Sequence, residues 1–251
     1  MTPRVVMFDI DQTLAESKQA IVPSMAKLLS NLLAHAYVGI ISGGKLEQFI
    51  TQIVTRLPET TDLSRLYLLP TSGAALYIHT DAAWQAVYEE NLTPDEASRI
   101  TTAIEEAIEE TGILDLSIPS YGERIEFRGA QVTLSALGQD TPLALKSAWD
   151  PDQKKRSELR AVLIAKLPHY DVKIGGTNSI DITKHGINKA YGVRKLSEML
   201  LIPIEEMLYI GDALYPGGND EVVKETGIRT HAVANPAETE TYITHLLEST
   251  T

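Results

Sequence analysis

The sequence of 251 residues contains no cysteine. Disulfide bonds and thiolate–metal sites are therefore excluded, and any bound metal ion must be held by oxygen or imidazole ligands. No apolar run is long enough to cross a bilayer, and the N-terminus lacks the charged segment followed by an apolar one that marks a secretory signal. We expect a soluble cytoplasmic protein with no membrane partner.

Basic residues are few relative to acidic ones. Lys and Arg total 22 against 34 Asp and Glu, which gives a formal net charge of -12. This balance argues against nucleic acid as a partner, because nucleic-acid binding depends largely on basic side chains that neutralise phosphates. A small anionic substrate remains compatible with a few local cations. The chain length permits one large domain or two modest ones.

The N-terminal stretch joins an apolar run, residues 5–8, to two carboxylates, Asp9 and Asp11. A Val-rich run of this kind is typical of a central parallel strand that is buried on both faces. Parallel sheets bind ligands just beyond the carboxyl ends of their strands, which is where both carboxylates would lie. The alternative is a surface turn with solvated acids, since Asp is common in turns.

A second apolar strand is predicted over residues 37–41. It ends at Ser42 and two glycines, Gly43 and Gly44, and a helical pattern begins at Leu46. Backbone N–H groups at a helix N-terminus attract anions, and glycines let the backbone approach a phosphate closely. The alternative is a plain turn between a strand and a helix, which fits the same residues.

Residues 82–186 have a different pattern from their flanks. A capping box at Thr93 predicts a helix, and residues 124–128 and 132–137 alternate with the period of antiparallel strands. Another helix is predicted to start around Asp150, before two further strands. We predict a small α+β domain here, inserted between core segments 1–81 and 187–251. The predicted fold class is α/β, a Rossmann-like doubly wound parallel sheet with an inserted α+β cap.

The C-terminal segment returns to alternating strands and helices. Lys189 lies at a predicted helix start, and a buried strand over residues 207–210 ends at Gly211 and Asp212. The glycine-rich loop that follows carries Asn219 and Asp220. Ordinary structural interpretations exist for each polar residue: Ser42 as a helix cap, Lys189 as a solvated lysine, and Asp220 as an N-cap.

Taken in order, these polar residues resemble the four motifs of the haloacid dehalogenase superfamily of phosphotransferases. The matching residues are Asp9 and Asp11, Ser42, Lys189, and Asp212 with Asp220. The spacing of the motifs leaves room for a cap inserted between the second and the third, and the resemblance spans essentially the whole chain. One departure is Gln12, because the family usually has glycine after the second acid, so the local turn is expected to differ slightly.

The resemblance implies a role in phosphoryl transfer for each of these residues. Asp9 would be the nucleophile that forms an aspartyl-phosphate, and Asp11 the general acid and then base. Mg²⁺ would be held by Asp9, the Asp11 backbone carbonyl and Asp212. The remaining predicted site residues would bind the phosphoryl oxygens (Ser42, Gly43 and Lys189) or support the metal or the lysine (Asn219 and Asp220).

The inserted domain is similar to the C2B caps of subfamily IIB, which includes Cof-like sugar phosphatases and eukaryotic-type phosphomannomutases. In those mutases three cap arginines bind the distal phosphate, and a Ser and an Asp bind sugar hydroxyls. The resemblance assigns the arginine positions to Arg128, Gln139 and Lys146, and the Ser and Asp to Ser179 and Asp181. The alternative is a purely structural role, in which Arg128, Ser179 and Asp181 only form cross-strand pairs.

The departures at Gln139 and Lys146 favour hydrolysis over intramolecular transfer. A mutase must hold a bisphosphorylated intermediate, and arginine offers a bidentate fork that Gln and Lys cannot copy. We therefore expect a Mg²⁺-dependent phosphatase of a small phosphorylated metabolite, most simply a sugar phosphate. The alternatives are a phosphomannomutase-like phosphohexomutase and, more distantly, a non-catalytic phosphosugar-binding protein. The resemblance leaves open a monomer or a cap-mediated homodimer.

Overall fold

Two β-sheets organise the computed structural model, which describes residues 2–249. Residues 1, 250 and 251, at the ends of the predicted core segments, lie outside the described residues. The strands in chain order are β1 (Val5–Phe8), β2 (Tyr37–Ile41), β3 (Leu66–Leu69), β4 (Ala75–Thr80), β5 (Ala83–Glu89), β6 (Ile125–Phe127), β7 (Gln131–Ser135), β8 (Tyr170–Gly175), β9 (Ser179–Lys184), β10 (Met207–Gly211) and β11 (Arg229–Ala232).

Helices connect most of these strands. They are α1 (Pro23–Leu33), α2 (Leu46–Gln52), α3 (Pro94–Thr111), α4 (Leu143–Trp149), α5 (Lys154–Lys166), α6 (Lys189–Leu200) and α7 (Pro236–Glu248). Short 3-10 helices lie at Val54–Arg56, Leu63–Arg65, Ile204–Glu206 and Glu221–Thr226. Within the described residues, no helix has both the length and the hydrophobicity needed to cross a membrane.

Tertiary contacts divide the chain into two units. The first contains the residues up to Glu89 and from Asn188 onward, and the second is Glu90–Ile187. The boundary predicted at residues 81–82 is therefore too early. Strand β5 pairs with β4 along its whole length and so belongs to the sheet of the first unit.

The sheet of the first unit has the order β11-β10-β1-β2-β3-β4-β5. Strands β11 to β3 in this order are parallel, and β4 and β5 add an antiparallel hairpin at one edge. The chain proceeds outward from β1 in one direction through β2 and β3, and in the other through β10 and β11. The predicted doubly wound α/β fold is confirmed, and its switch point lies between β1 and β10.

Strand β1 is buried on both faces, as its Val-rich sequence predicts. Val6 and Phe8 pack in one apolar cluster with Leu29 of α1. Met7 packs in the cluster on the opposite face, which contains Val193 of α6. Because helices cover both faces, a ligand would approach β1 at its carboxyl end, where Asp9 follows the strand.

The second unit has an antiparallel sheet in the order β6-β7-β9-β8. Helices α3 and α5 pack on one face through an apolar cluster that includes Ile104 and Leu163. Helix α3 begins with the predicted capping box at Thr93. Helix α5 begins at Lys154, later than predicted, and helix α4 was not predicted.

The late start of α5 has a clear cause. The carboxylate of Asp150 accepts hydrogen bonds from the backbone N–H groups of Lys155 and Arg156, at 3.0 and 3.1 Å. Asp150 thus lies outside the helix and accepts hydrogen bonds from the free N–H groups of its first helical turn. The residues between Asp150 and Lys154 form a non-helical turn. Gln153 immediately precedes the helix with a φ of 58°, which is left-handed and not helical.

Candidate active site

Asp9 follows the last residue of β1, at the switch point of the sheet. Phe8 lies beside Ile210 in the register of β1 and β10, and the Asp9 N–H donates to the Ile210 carbonyl at 3.1 Å. Asp212 follows the end of β10, so the two acids come from neighbouring strand ends. The side chain of Asp9 is buried, and that of Asp212 is half-buried.

The chain turns sharply directly after Asp9. The N–H groups of Leu14 and Ala15 both donate to the Ile10 carbonyl, at 2.9 and 3.0 Å. Asp11 is half-buried, and its Oδ1 accepts the Lys18 N–H at 2.8 Å. Gln12 has a φ of 59°, a left-handed conformation that glycine adopts more readily than other residues. The turn is therefore strained at the residue that departs from the family pattern.

Lys189, the first residue of α6, lies between two buried carboxylates. Its Nζ is 2.6 Å from Asp9 Oδ1 and 2.6 Å from Asp220 Oδ1. The helix starts here because the Asn188 side chain caps it by accepting the Tyr191 N–H. Lys189 is only 3% exposed. Its interpretation as a solvated lysine is therefore wrong.

Asp220 is fully buried and both of its carboxylate oxygens accept hydrogen bonds. Oδ1 accepts from Lys189 and from the Tyr209 hydroxyl at 2.6 Å, and Oδ2 accepts the Ala213 N–H at 3.2 Å. Its side chain does not cap the 3-10 helix that follows, so the N-cap interpretation is wrong. Asn219 is exposed, and no hydrogen bond within the described residues joins it to this group, so its supporting role stays a prediction.

Gly211 makes room for the Asp220 carboxylate. A Cβ atom at position 211 would lie 2.4 Å from Asp220 Oδ2, closer than such atoms approach in proteins. The glycine before Asp212 is therefore required by packing at this point. It lets the loop after β10 fold back over the strand end.

Three carboxylates could contribute to a metal site. One oxygen each of Asp9, Asp212 and Asp220 lies within 4.8 Å of the others. Because Asp220 already accepts donors on both oxygens, Asp9 and Asp212 are better placed as ligands. An all-oxygen donor set fits Mg²⁺, and the excess of negative charge in this group favours a divalent cation. Asp11 is predicted to contribute only its backbone carbonyl.

The charge of the group shifts the pKa values of its members. Burial, opposed by Lys189 and assisted by Asp220, raises the pKa of Asp9 above its usual value. Burial and the nearby charge of Asp220 raise the pKa of Asp212 to about 6. The pKa of Lys189 is raised because the two carboxylates outweigh its burial. Burial is thus the main cause of the shifts at Asp9 and Asp212, whereas the neighbouring carboxylates cause the shift at Lys189.

The loop after β2 carries Ser42, which is half-buried. Helix α2 begins at Leu46 with Lys45 at its N-cap, so Ser42 is not a helix cap. Backbone hydrogen bonds from the segment after β3 fix this loop. The Ser72 N–H donates to the Ser42 carbonyl at 2.8 Å, and the Thr71 N–H donates to the Gly44 carbonyl at 2.9 Å. Ser42 and Gly43 thus follow the strand next to β1, at the same edge of the sheet as Asp9.

In the second unit, Gln139 contacts the residues at the other two arginine positions, Arg128 and Lys146. Arg128 Nη2 donates to Gln139 Oε1 at 3.2 Å, and its Nε pairs with Glu126 at 2.8 Å. Lys146 is 4% exposed, and its Nζ donates to the Gln139 backbone carbonyl at 2.8 Å. The structure therefore brings these three positions together, with both cations engaged by groups of the same unit.

Ser179 and Asp181 lie on one face of β9. Asp181 Oδ1 accepts the Thr133 hydroxyl at 2.8 Å, and Ser179 Oγ donates to the Gly175 carbonyl at 2.8 Å. A Cβ atom at Gly175 would lie 2.4 Å from Asp181 Oδ2. Burial raises the pKa of Asp181, although the charge of Arg128 opposes this. Asp181 therefore makes a cross-strand contact with Thr133, as the alternative of cross-strand pairing predicts.

Tyr209 and Arg156 are polar residues that the sequence did not single out. For Tyr209 the available signal was a hydroxyl in an otherwise apolar strand. For Arg156 no signal existed, because an arginine in a charged helix usually faces solvent. Here it is buried and contacts the Asp150 carboxylate at 2.9 Å and the Gly176 carbonyl at 2.8 Å.

A family model and individual relatives match this chain over most of its length. Residues 25–249 match the family model described as eukaryotic phosphomannomutase. A phosphomannomutase from Nicotiana benthamiana is 30% identical over 246 residues, which cover 94% of this chain and 90% of that protein. A phosphomannomutase from Spinacia oleracea is 28% identical over 242 residues, which cover 94% of this chain and 92% of that protein.

Solved structures share the fold at lower identity. N-terminal truncated Plasmodium falciparum IMP-nucleotidase superposes with a TM-score of 0.71 at 17% identity, over 97% of this chain and 70% of that one. A trehalose-6-phosphate phosphatase related protein gives a TM-score of 0.55 at 18% identity, over 98% and 97%. At these identities the likeness concerns the fold alone. The match over residues 25–249, however, shows that the chain belongs to the eukaryotic phosphomannomutase family, a family of enzymes within the haloacid dehalogenase superfamily.

Proposed function

We propose that this chain is a Mg²⁺-dependent phosphatase that hydrolyses a small phosphorylated metabolite, a sugar phosphate, through an aspartyl-phosphate on Asp9. The observation that carries the proposal is the contact of Asp9 with Lys189 at the switch point of the sheet. A buried carboxylate next to a buried ammonium group provides a nucleophile and a cation for phosphoryl oxygens in one place.

The reaction has two steps. Asp9 attacks phosphorus, and the bond from phosphorus to the sugar oxygen breaks while protonated Asp11 gives its proton to that oxygen. Asp11 then takes a proton from water as the water oxygen attacks the same phosphorus. The bond between phosphorus and the Asp9 oxygen breaks, and inorganic phosphate leaves. Both acids are regenerated in their starting protonation states.

The other residues of the site position the phosphoryl group. Lys189 binds its oxygens, together with Ser42 and the backbone at Gly43. Asp9, Asp212 and the Asp11 carbonyl would hold Mg²⁺, which when bound offsets the repulsion between a carboxylate and a phosphate. Asp220 supports Lys189 and not the metal, because its two oxygens are engaged by other donors.

The residues at the arginine positions favour hydrolysis over transfer to a second sugar position. A mutase needs a strong site for the second phosphate of its intermediate, and bidentate arginines provide such a site. Here only Arg128 retains a guanidinium group, and it pairs with Glu126. Lys146 is buried against a backbone carbonyl. Water is then the more accessible acceptor of the phosphoryl group.

A phosphohexomutase is the second candidate, and family membership favours it. The relatives from both plants bear the name phosphomannomutase. The same Asp9 and Asp11 would carry out the transfer. A non-catalytic phosphosugar-binding protein ranks last, since both acids needed for turnover are present.

One assay separates these functions. The protein is incubated with Mg²⁺, mannose 1-phosphate and a hexose bisphosphate activator, and both free phosphate and isomerised hexose phosphate are measured. A panel of other phosphorylated metabolites is screened for phosphate release. We expect phosphate release that Asp9→Asn abolishes. Isomer formation without net phosphate release would identify a mutase, and substrate binding without turnover would identify a binding protein.

A second experiment tests the substrate-selecting role that we propose for Arg128. Arg128→Ala should raise KM for the preferred sugar phosphate far more than for a small aryl phosphate, which lacks the sugar. Equal effects on the two substrates would remove Arg128 from substrate selection. Lys184→Ala is a matched control, because Lys184 lies in the same unit and its Nζ binds the Asn91 carbonyl.

A further inference from the structure

Tyr209 is a fully buried tyrosine in the middle of β10. Its ring packs in the apolar cluster that contains Val193 and Leu196 of α6. Its hydroxyl is 2.6 Å from Asp220 Oδ1, the same oxygen that receives the Lys189 ammonium at 2.6 Å. One carboxylate oxygen thus accepts a phenol and an ammonium group, and the second of these donors also contacts Asp9.

The hydroxyl is not needed to fill space. A phenylalanine ring would occupy the same apolar position without a polar group to satisfy, and burying a hydroxyl is costly unless it is hydrogen-bonded. The hydroxyl of Tyr209 meets this requirement through a carboxylate beside the proposed nucleophile. Burial and the charge of Asp220 raise the pKa of Tyr209, so the phenol remains a hydrogen-bond donor at physiological pH.

We propose that Tyr209 is a positioning residue for phosphoryl transfer, whose hydroxyl fixes the orientation of the Asp220 carboxylate and thereby holds the Lys189 ammonium at Asp9. The inference rests on the proposed function, because it assigns a role in the reaction to a residue that does not touch the reacting atoms. It concerns the step in which Lys189 binds the transferring phosphoryl oxygens.

Besides Lys189, two donors hold the Asp220 carboxylate in its orientation. The Tyr209 hydroxyl binds Oδ1, and the Ala213 N–H binds Oδ2. Both donors come from β10 and the loop directly after it, which also carries Asp212. Among the described residues, Lys189 would be the one remaining donor to Oδ1 if the hydroxyl were removed. The Asp220 carboxylate would then no longer hold the Lys189 ammonium group in one position while Lys189 binds a phosphoryl oxygen.

The test compares Tyr209→Phe with Tyr67→Phe. Each removes one oxygen from a buried tyrosine of the same apolar cluster, but Tyr67 lies on β3 and outside the hydrogen bonds of Asp220. We expect Tyr209→Phe to lower kcat about 10-fold with KM changed by less than about twofold, because a misplaced charged group mainly affects the transition state. Tyr67→Phe should leave both constants unchanged.

A binding measurement supplements the kinetics. Beryllium fluoride with Mg²⁺ mimics an aspartyl-phosphate, and its affinity is measured by thermal shift for the wild type and both variants. We expect weaker binding to Tyr209→Phe only. In an Asp220→Asn background, Tyr209→Phe should cost less than about twofold in kcat, since the two residues act through one contact.

Several outcomes would overturn the inference. The first is a Tyr209→Phe variant with the kcat and probe affinity of the wild type. The others are equal losses of kcat in both tyrosine variants, a change in KM alone, and a loss of kcat from Tyr209→Phe that is as large in the Asp220→Asn background as in the wild type. These outcomes leave the proposed function intact. A wild type that neither turns over any phosphorylated sugar nor binds the probe would instead overturn the proposed function, and the inference with it.

Discussion

The Lys189 ammonium group lies 2.6 Å from Asp9 Oδ1, and the two side chains are 3% and 5% exposed. They are 180 residues apart in the chain and come from the two segments that together form the first unit. Lys189 also contacts Asp220 at 2.6 Å, so one ammonium group pairs with two buried carboxylates. Removing it would leave carboxylates that are buried and no longer paired.

Lys189→Met should destabilise the protein strongly. Loss of one partner from a buried charge cluster costs about 3–5 kcal/mol, because the remaining charges cannot reach water. The free energy of unfolding is measured by urea denaturation in the presence of a chelator. Lys195→Met is the matched control, since Lys195 is in the same helix and forms an exposed pair with Glu198. Equal stability of the two variants would contradict the expected cost.

Asp11→Asn should slow the first chemical step in a way that depends on the leaving group. The amide oxygen can still accept the Lys18 N–H, so the turn is kept, but no proton is available for the leaving oxygen. For a sugar phosphate we expect about a 10²–10⁴-fold loss in the single-turnover rate, and for p-nitrophenyl phosphate a much smaller one. Similar losses with both substrates would exclude Asp11 as the general acid.

Gln12→Gly should be more stable than Gln12→Ala by about 1 kcal/mol. Gln12 has a φ of 59°, and a side chain with a Cβ atom is strained there while glycine is not. The comparison with alanine removes the contribution of the Gln12 side chain, which contacts Glu16. Thermal unfolding of both variants measures the difference. An alanine variant as stable as the glycine variant would mean that the turn is not strained at this position.

Arg156→Met should destabilise the second unit by about 3 kcal/mol near pH 7, because it leaves Asp150 buried without its partner. Burial alone would raise the pKa of Asp150, but hydrogen bonds from the Arg156 side chain and backbone and from the Lys155 N–H hold it below its usual value. The folded-state pKa is thus lower than the unfolded one.

This pKa shift gives the pH dependence its sign. The stabilisation from Asp150 is fully present above its unfolded-state pKa of about 4 and is lost as the pH falls through the lower folded-state value. In Arg156→Met, Asp150 is buried without its ion-pair partner and takes up a proton at a higher pH than in the wild type. The stability difference between the two proteins should therefore be largest near pH 7 and shrink as the pH falls. A difference that grows on acidification would contradict this assignment.

The convergence of Asp9 and Asp212 could be predicted because it follows from sheet topology, and the family resemblance added Lys189 to them. Parallel strands place their carboxyl ends at one edge, and apolar runs that end in polar residues mark those ends in the sequence. Strand β5 could not be predicted in the same way. Most of its residues are exposed, so it lacks the apolar pattern that identifies a strand, and only pairing with β4 defines it.

Two side-chain contacts between residues close together in the chain could not be predicted either. The Lys146 ammonium donates to the backbone of Gln139, and a carbonyl group gives no signal in a sequence. Tyr209 and Asp220 meet only because the loop after β10 folds back at Gly211. Asn219 is exposed whereas its neighbour Asp220 is buried, and the sequence of this loop does not distinguish the two.

Magnesium should stabilise the wild type against thermal unfolding, because it offsets the repulsion among the acids near Asp9. Asp212→Asn should reduce this effect strongly, since it removes one of the two proposed carboxylate ligands. Glu206→Gln, a surface acid that pairs with Arg4, is the control. Equal stabilisation of Asp212→Asn and the wild type by Mg²⁺ would place the metal elsewhere.

The formation of an aspartyl-phosphate on Asp9 can be measured directly. The enzyme is quenched during turnover of a phosphorylated sugar and treated with borohydride, which reduces an acyl phosphate to an alcohol and so converts a phosphorylated aspartate to homoserine. Tandem mass spectrometry then locates the modified residue. We predict homoserine at position 9 and at no other acid. Sustained turnover without modification of Asp9, or with modification at another aspartate, would contradict the proposed mechanism.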